Sequence, residues 1–180
     1  MGSAKDIADS LPTGKTKEEF DKRSELFNQF DPNGNGYLSL AEVDKGLHES
    51  LGLEEVYHCK PAIIRAFNAA KGVKKGKKGS RDDDYVSRIE FRLLLVFLKQ
   101  YFELFVVFAA IDAGGDRRIN LEEFSAAAPQ LKEAGVKIDE DPAKTFAEID
   151  ANGGGQILFK EFAEWSINNN LLDALDDDDE

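Results

Sequence analysis

The stretch Asp31-Pro-Asn-Gly-Asn-Gly-Tyr-Leu-Ser-Leu-Ala-Glu42 places oxygen-bearing groups at regular intervals along twelve residues. Calcium takes six to eight oxygen ligands, and a twelve-residue loop supplies them from positions 1, 3, 5, 7, 9 and 12, with glycine at position 6. Gly36 occupies position 6, and the predicted ligands are Asp31, Asn33, Asn35, the carbonyl of Tyr37, Ser39 and Glu42. The sequence therefore predicts a complete calcium loop, although only two of its ligands are charged, which favours modest affinity. The alternative is a polar turn between two helices.

Apolar helical stripes lead into this loop and into three later ones. Phe20, Phe27 and Phe30 recur at helical spacing and end at Asp31. Further stripes end at Asn68, Asp112 and Asp150, and a helix resumes after each at Glu90-Phe91, Glu123-Phe124 and Glu161-Phe162. Asn68 follows Asp31 by 37 residues and Asp150 follows Asp112 by 38, so the pattern is a repeat. The sequence predicts four helix–loop–helix units.

Each unit is expected to pair with a neighbour, because a single helix–loop–helix cannot bury its own apolar stripe. The eighth loop positions are β-favouring or apolar residues that suit a short antiparallel strand pair: Leu38, Val86, Ile119 and Ile157. The predicted fold is all-α, with the four units paired in two compactly packed lobes that carry short antiparallel loop strands.

The fourth loop, from Asp150 to Glu161, is a plausible second calcium site. Its predicted ligands are Asp150, Asn152, the carbonyl of Gln156 and Glu161, with Gly155 at position 6. Gly154 at position 5 and Leu158 at position 9 offer no side-chain oxygen. Water would have to complete the coordination shell, at a cost in affinity.

The third loop, from Asp112 to Glu123, has more ligands but a wrong residue at its turn. Its predicted ligands are Asp112, Asp116, the carbonyl of Arg118, Asn120 and Glu123. Gly114 contributes nothing at position 3, and Arg117 stands at position 6, where glycine belongs. A non-glycine residue in the left-handed region costs roughly 1–2 kcal/mol, and Arg117 also brings a positive charge. A structural loop that binds calcium weakly or not at all is the favoured interpretation.

The second unit departs from the pattern. Asn68 and Glu90 lie 22 residues apart where a calcium loop needs 11, so this loop carries an insertion, placed at residues 69–79. Counting back from Glu90 puts Gly79 at position 1 and Arg81 at position 3, which are not ligands. We expect no calcium here. The basic segment Lys71–Lys78 is a candidate contact for an anionic membrane, and a solvated loop is the alternative.

These observations divide the chain into four segments. Residues 1–14 are expected to form a flexible arm, since they show no periodicity, and residues 173–180 an acidic tail. Residues 15–100 hold the N-terminal pair of units and residues 101–172 the C-terminal pair.

Composition narrows the function classes. The net charge of −12 argues against a nucleic-acid partner, and two histidines with one cysteine supply too few soft ligands for structural zinc. The single cysteine is typical of a reducing, intracellular compartment. The apolar window Leu93–Ala110 is interrupted by Lys99, Gln100 and Glu103, which predicts a buried helix. No nucleophile–base pair is visible, so an enzyme is not expected.

The chain resembles the EF-hand proteins and, within them, the calflagins, the flagellar calcium-binding proteins of trypanosomatids. The resemblance extends from about Lys15 to Leu172 and rests on the calcium loops, the inserted second loop, and the stretches Arg23-Ser-Glu-Leu-Phe-Asn-Gln-Phe-Asp31, Glu90-Phe-Arg-Leu, Phe102-Glu-Leu and Leu131-Lys-Glu-Ala-Gly-Val. It implies a cytoplasmic or flagellar-membrane protein with a calcium-acyl switch, built on a myristoylated glycine and a palmitoylated cysteine. Gly2 is present, but Asp6 stands where the myristoylation pattern has Ser or Thr, and no cysteine is near. We carry over the fold and the calcium loops and leave the lipid switch open.

Three functions fit a chain of this kind. A calcium sensor would change conformation and engage a protein or membrane partner. A calcium buffer would bind the ion with little opening. A structural scaffold would keep the fold and lose the regulation.

Overall fold

The computed structural model describes residues 3–54, 59–73, 84–169 and 171. The chain divides into two compact units, residues 1–103 and 104–180. Within the described ranges there are eight α-helices and two short two-stranded antiparallel sheets. The predicted all-α fold with short loop strands is therefore confirmed.

The first unit contains two helix–loop–helix repeats behind a short N-terminal helix. Its elements are α1 (Ala4–Ser10), α2 (Lys17–Phe30), β1 (Tyr37–Leu38), α3 (Leu40–Glu49), α4 (Lys60–Ala70), β2 (Val86–Ser87) and the beginning of α5 (Phe91–Ile111). The ring of Phe91 lies edge-on to Phe27 and Phe30, with centroid distances of 5.2 Å and 5.7 Å. All three rings are almost completely buried. The last stripe residues of α2 thus pack on the first turn of α5.

The second unit repeats this arrangement, and the last part of α5 is its first helix. Its further elements are β3 (Arg118–Ile119), α6 (Leu121–Glu133), α7 (Pro142–Ile149), β4 (Ile157–Leu158) and α8 (Phe159–Asn168). Phe108 packs against Phe159 and Phe162, with centroid distances of 5.6 Å and 5.7 Å. An aromatic core therefore closes each unit between its first and last long helices.

The two sheets join the loops within each unit. Leu38 faces Val86 in the β1–β2 pair, and Ile119 faces Ile157 in the β3–β4 pair. All four side chains are fully buried. These are the four eighth positions that the repeat identified, so the predicted pairing is confirmed in its register.

The prediction of a flexible arm is wrong for residues 3–14. Ser3 caps α1 by accepting a hydrogen bond from the amide of Asp6, whose carboxylate accepts one in return from the Ser3 amide. Ile7 is 3% exposed, and Ala4, Ala8 and Leu11 are also buried. The segment has too few apolar residues to show a period, but those it has share one face of a two-turn helix, and their burial holds it in place.

Helix α5 is the most apolar element. Among the described helices, α5 is the one that is long and apolar enough to cross a membrane, judged by length and composition alone. Leu94, Leu95, Leu98 and Phe102 on this helix are fully buried inside the protein. This burial is the pattern of a core helix, which passes the same test of length and hydropathy.

Candidate calcium sites

The first, third and fourth loops share one backbone conformation. In each loop the residues at positions 4 and 6 lie in the left-handed region, with φ between 67° and 81°: Gly34 and Gly36, Gly115 and Arg117, Gly153 and Gly155. Arg117 is the one non-glycine residue with positive φ among the residues described. The third loop therefore keeps the sharp turn in spite of its arginine, as the sequence predicts, and bears the associated strain.

The aspartate at position 1 organises each loop. The two carboxylate oxygens of Asp31 accept hydrogen bonds from the amides of Asn35 (3.2 Å) and Gly36 (2.8 Å). Asp150 accepts equivalent bonds from Gly154 (3.1 Å) and Gly155 (2.8 Å). These bonds fold the loop around the carboxylate, and each oxygen keeps a lone pair that can face a cation.

In the first loop the side chains at positions 3 and 5 also turn inward. The amide oxygen of Asn33 accepts from the Asn35 amide at 2.9 Å, and the amide oxygen of Asn35 accepts from the Tyr37 amide at 2.9 Å. Each oxygen again retains an acceptor site. With the Tyr37 carbonyl, these oxygens supply the neutral part of the predicted ligand set.

Glu42 joins the first loop to α3. Its Oε2 accepts hydrogen bonds from the amide and the hydroxyl of Ser39, both at 2.8 Å, which closes a capping box at the start of α3. Its Oε1 accepts from Nδ2 of Asn33 at 2.7 Å. Positions 3 and 12 of the loop are thus in direct contact. The Asn33–Glu42 bond could not be predicted from the sequence, because the orientation of an amide group depends on its neighbours.

The fourth loop has the same frame with fewer ligands. Oε1 of Glu161 accepts from the amide of Asn152 at 3.1 Å, so positions 3 and 12 meet here too. Oε2 of Glu161 accepts from the Leu158 amide at 3.0 Å, but the leucine side chain supplies no cap. Asp150 and Glu161 are each 8% exposed, as shielded as Asp31 at 7%. Burial strengthens the attraction of these carboxylates for a cation.

The third loop lies more open to solvent. Asp112 accepts from the amides of Gly115 and Arg117, both at 2.8 Å, and Asp116 accepts from the Arg118 amide at 3.0 Å. Asn120 caps α6 by accepting from the Glu123 amide at 2.8 Å. Asp112 and Glu123 are partly exposed, and Asp116, Arg117 and Asn120 are exposed. The frame is complete, but solvent screens its charges more than in the other two loops.

A side-chain bond also joins the two loops of the second unit. Nη1 of Arg118 donates to the side-chain oxygen of Gln156 at 3.0 Å. Both residues occupy position 7 of their loops, where only the carbonyl is a predicted ligand. The sequence did not indicate this contact, although the predicted strand pairing places the two side chains near each other.

The second helix–loop–helix repeat, in the first unit, keeps the closing glutamate of a calcium loop. Glu90 is 1% exposed and accepts from the amide and the hydroxyl of Ser87, both at 3.0 Å, in the manner of Glu42 and Ser39. Lys71 is the C-cap of α4, while residues 74–78 of the basic segment lie outside the described residues. The membrane contact predicted for Lys71–Lys78 stays a prediction.

The donor chemistry suits a hard cation. No group of three or more His, Cys, Asp or Glu side chains gathers in the part of the chain that the structure describes. The predicted ligand sets instead distribute two or three carboxylates along each loop, together with amide, hydroxyl or carbonyl oxygens, which are the ligands that calcium prefers. Paired helix–loop–helix units with loops of this kind define an EF-hand calcium-binding protein.

Comparisons with known proteins agree. The family model for the FCaBP EF-hand domain matches residues 7–98, and that for an EF-hand domain pair matches residues 101–167. Flagellar calcium-binding protein TB-17 of Trypanosoma brucei brucei is 41% identical over 172 residues, which cover 95% of this chain and 73% of that protein. The flagellar calcium-binding protein of Trypanosoma cruzi is 42% identical over 163 residues, covering 89% and 76%.

The chain therefore belongs to the flagellar calcium-binding protein family of the EF-hand superfamily, and it binds Ca²⁺. This confirms the resemblance to the calflagins. The family is one of calcium-binding proteins and is not an enzyme family. A solved homolog of programmed cell death 6 protein from Leishmania major covers 89% of this chain and 78% of its own at 18% identity and a TM-score of 0.44, too low to refine the assignment.

Proposed function

We propose that this protein is a calcium sensor in which the loop Asp31–Glu42 is the strongest site and Asp150–Glu161 a weaker second one. The third loop binds calcium weakly or stays empty, because Arg117 combines backbone strain with an unfavourable charge. The first loop alone pairs a full set of six ligand positions with a buried first aspartate.

The capping role of Glu42 is the observation that carries the proposal. Calcium needs both carboxylate oxygens of the twelfth residue, whereas Oε2 of Glu42 is bonded to Ser39 and Oε1 to Asn33. We expect coordination to compete with the bond to Asn33 and to reorient the carboxylate that caps α3. The first turn of α3 moves with it, which transmits occupancy of the loop to a helix.

The strand pair provides a route to the rest of the first unit. Leu38, one residue before Ser39, is fully buried and pairs with Val86. Because this strand pair is held in place, it can act as a hinge. A movement of Glu42 then rotates α3 relative to β1, and the change is not confined to the loop. A buffer would bind the ion without this movement of α3.

The names of two relatives support a location for this protein. Two relatives are named as flagellar calcium-binding proteins, and we infer that this protein also works at the flagellum, inside the cell. There the calcium-bound form engages a protein or a membrane partner. Contact with anionic lipid through Lys71–Lys78 is the second form of this proposal.

Amide NMR spectra recorded during calcium titration test the sensor. We expect signals of α3 and β1 to shift with calcium in the wild-type chain and to stay fixed in Glu42→Gln, which cannot supply two charged oxygens. Glu49→Gln is a matched control, since Glu49 is exposed at the far end of the same helix. Calcium binding by calorimetry without shifts beyond the loop itself would identify a buffer.

A further inference from the structure

A groove lies between α2 and the beginning of α5 in the first unit. Its volume is about 390 Å³, and its lining residues include none of the predicted calcium ligands. Phe27 and Phe91 form its buried floor, while Phe20 is 59% exposed and Ile89 is 68% exposed at its edges. Large apolar side chains at that level of exposure mark a surface that a partner can cover.

Three arginines line the same groove, and the hydrogen bonds that they donate to described residues go to neutral acceptors. Arg23 donates to the carbonyls of Pro12 (3.0 Å) and Gly14 (2.5 Å), and Arg92 donates to the carbonyl of Thr13 at 2.8 Å. Both arginines are thereby fixed in position by the segment that follows α1.

Arg88 is held in a third way. Its Nη2 donates to the side-chain oxygen of Asn28 at 2.5 Å, and its guanidinium lies 4.3 Å from the centroid of the Phe27 ring. Among the described residues none of the ion pairs involves these three arginines, and the groove lining contains no carboxylate. Within the described ranges, three positive charges thus lie along an apolar surface without an ion-pair partner.

We propose that this groove binds a segment of a protein partner in which apolar side chains alternate with carboxylates. A cavity of this size holds two or three side chains, and preorganised guanidinium groups are suited to binding carboxylates. Arg23 is 9% exposed, so it contributes its charge to the groove, while the exposed Arg88 and the partly exposed Arg92 are open to direct pairing. A fatty acid brings one carboxylate, whereas an acidic segment can bring one to each of these two arginines. This inference rests on the proposed function, because the sensor and the groove both need a protein partner. The lining of the groove contains none of the predicted calcium ligands.

Fluorescence anisotropy with a labelled peptide tests this site on the full chain. The probe is a helical 14-residue peptide with leucines three and four residues apart and glutamates between them, and a second peptide has lysine at every glutamate position. We expect the acidic peptide to bind and the basic one not to bind. Arg88→Glu should weaken binding at least about tenfold, because a like charge then faces the peptide.

Matched variants separate the groove from general effects of charge and hydrophobicity. Lys22→Glu makes the same charge change on an exposed part of α2, and we expect less than about a twofold effect because exposed charges are screened. Ile89→Ser should weaken binding about fivefold or more, whereas Ile64→Ser, on α4, should not. Circular dichroism melting curves verify that every variant is folded, and Arg88→Gln offers a milder change.

The outcomes are distinguishable. Equal binding of the acidic and basic peptides, or equal losses in Arg88→Glu and Lys22→Glu, would overturn the proposal. So would binding of dodecanoate or of phosphatidylserine vesicles at the groove with no binding of the acidic peptide. Titrations with and without calcium separate the two proposals: peptide binding without any calcium-induced shift refutes the sensor alone, and a calcium response without peptide binding refutes the groove alone.

Discussion

Replacing Arg117 by glycine is expected to stabilise the second unit and to strengthen calcium binding at the third loop. Arg117 has φ of 67°, the left-handed conformation that its loop shares with the other two, where the equivalent residue is glycine. Its amide also donates to Asp112 at 2.8 Å, so the loop cannot relax the residue without losing that bond. The strain is therefore built into the folded state.

Two terms set the size of the effect on stability. A side chain in the left-handed region costs about 1–2 kcal/mol, and glycine loses about 0.5–1 kcal/mol more backbone entropy than alanine on folding. The midpoints of the two ranges leave a net gain of about 0.75 kcal/mol for Arg117→Gly, which corresponds to a rise of roughly 3–6 °C in the melting temperature of a small domain.

Arg117→Ala is the informative control, because it removes the charge and leaves the strain. A unit charge at roughly 8 Å from a doubly charged ion in water contributes about 1 kcal/mol, so both variants should bind calcium at this loop about fivefold more tightly at low salt. Only Arg117→Gly should melt at a higher temperature. Differential scanning calorimetry and calcium titration of the full chain measure the two effects separately.

Equal melting temperatures for the glycine and alanine variants would refute the argument from strain. Unchanged calcium affinity in both variants at low salt would refute the argument from charge. A lower melting temperature for Arg117→Gly would show that the arginine side chain stabilises the folded unit by more than its backbone conformation costs.

Three further substitutions test other parts of the account. Asn33→Asp should raise the calcium affinity of the first loop on the order of tenfold, because it adds a charged ligand and replaces the donor that holds Glu42; calorimetry that finds equal or weaker binding would contradict this. Leu158→Ser should stabilise α8 by about 1 kcal/mol, since it supplies the missing cap hydroxyl and Leu158 is 40% exposed; a lower melting temperature would argue the opposite. Ile7→Ala should lower the free energy of unfolding in urea by about 2–4 kcal/mol if α1 is packed as described. A decrease no larger than that of exposed Lys5→Ala would indicate that the segment is a flexible arm.

The repeat determined most of what the sequence could predict. Ligand positions, glycine positions and the apolar eighth position recur at fixed intervals, so Leu38 facing Val86 and Ile119 facing Ile157 followed from counting alone. The same counting placed Arg117 at the left-handed position that it occupies in the structure. The backbone conformation of a calcium loop sets the spacing of its ligands, glycines and apolar residue. This spacing can therefore be recognised in the sequence without knowing which residues are in contact in the fold.

Features that depend on tertiary contacts were not predictable in the same way. The bond from Asn33 to Glu42 depends on which way an amide turns, and the bond from Arg118 to Gln156 depends on two loops 38 residues apart. Helix α1 is too short for a periodic signal and is held by the burial of Ile7 and its neighbours. The arginine-lined groove likewise exists only because α2 and α5 are adjacent.

Equilibrium dialysis of calcium against the wild-type chain, Glu42→Gln and Glu161→Gln ranks the loops by affinity. We expect the tightest bound ion to disappear in Glu42→Gln and to remain in Glu161→Gln, where only a weaker ion is lost. If Glu42→Gln kept the tightest ion and Glu161→Gln lost it, the loop Asp31–Glu42 would not be the principal calcium site.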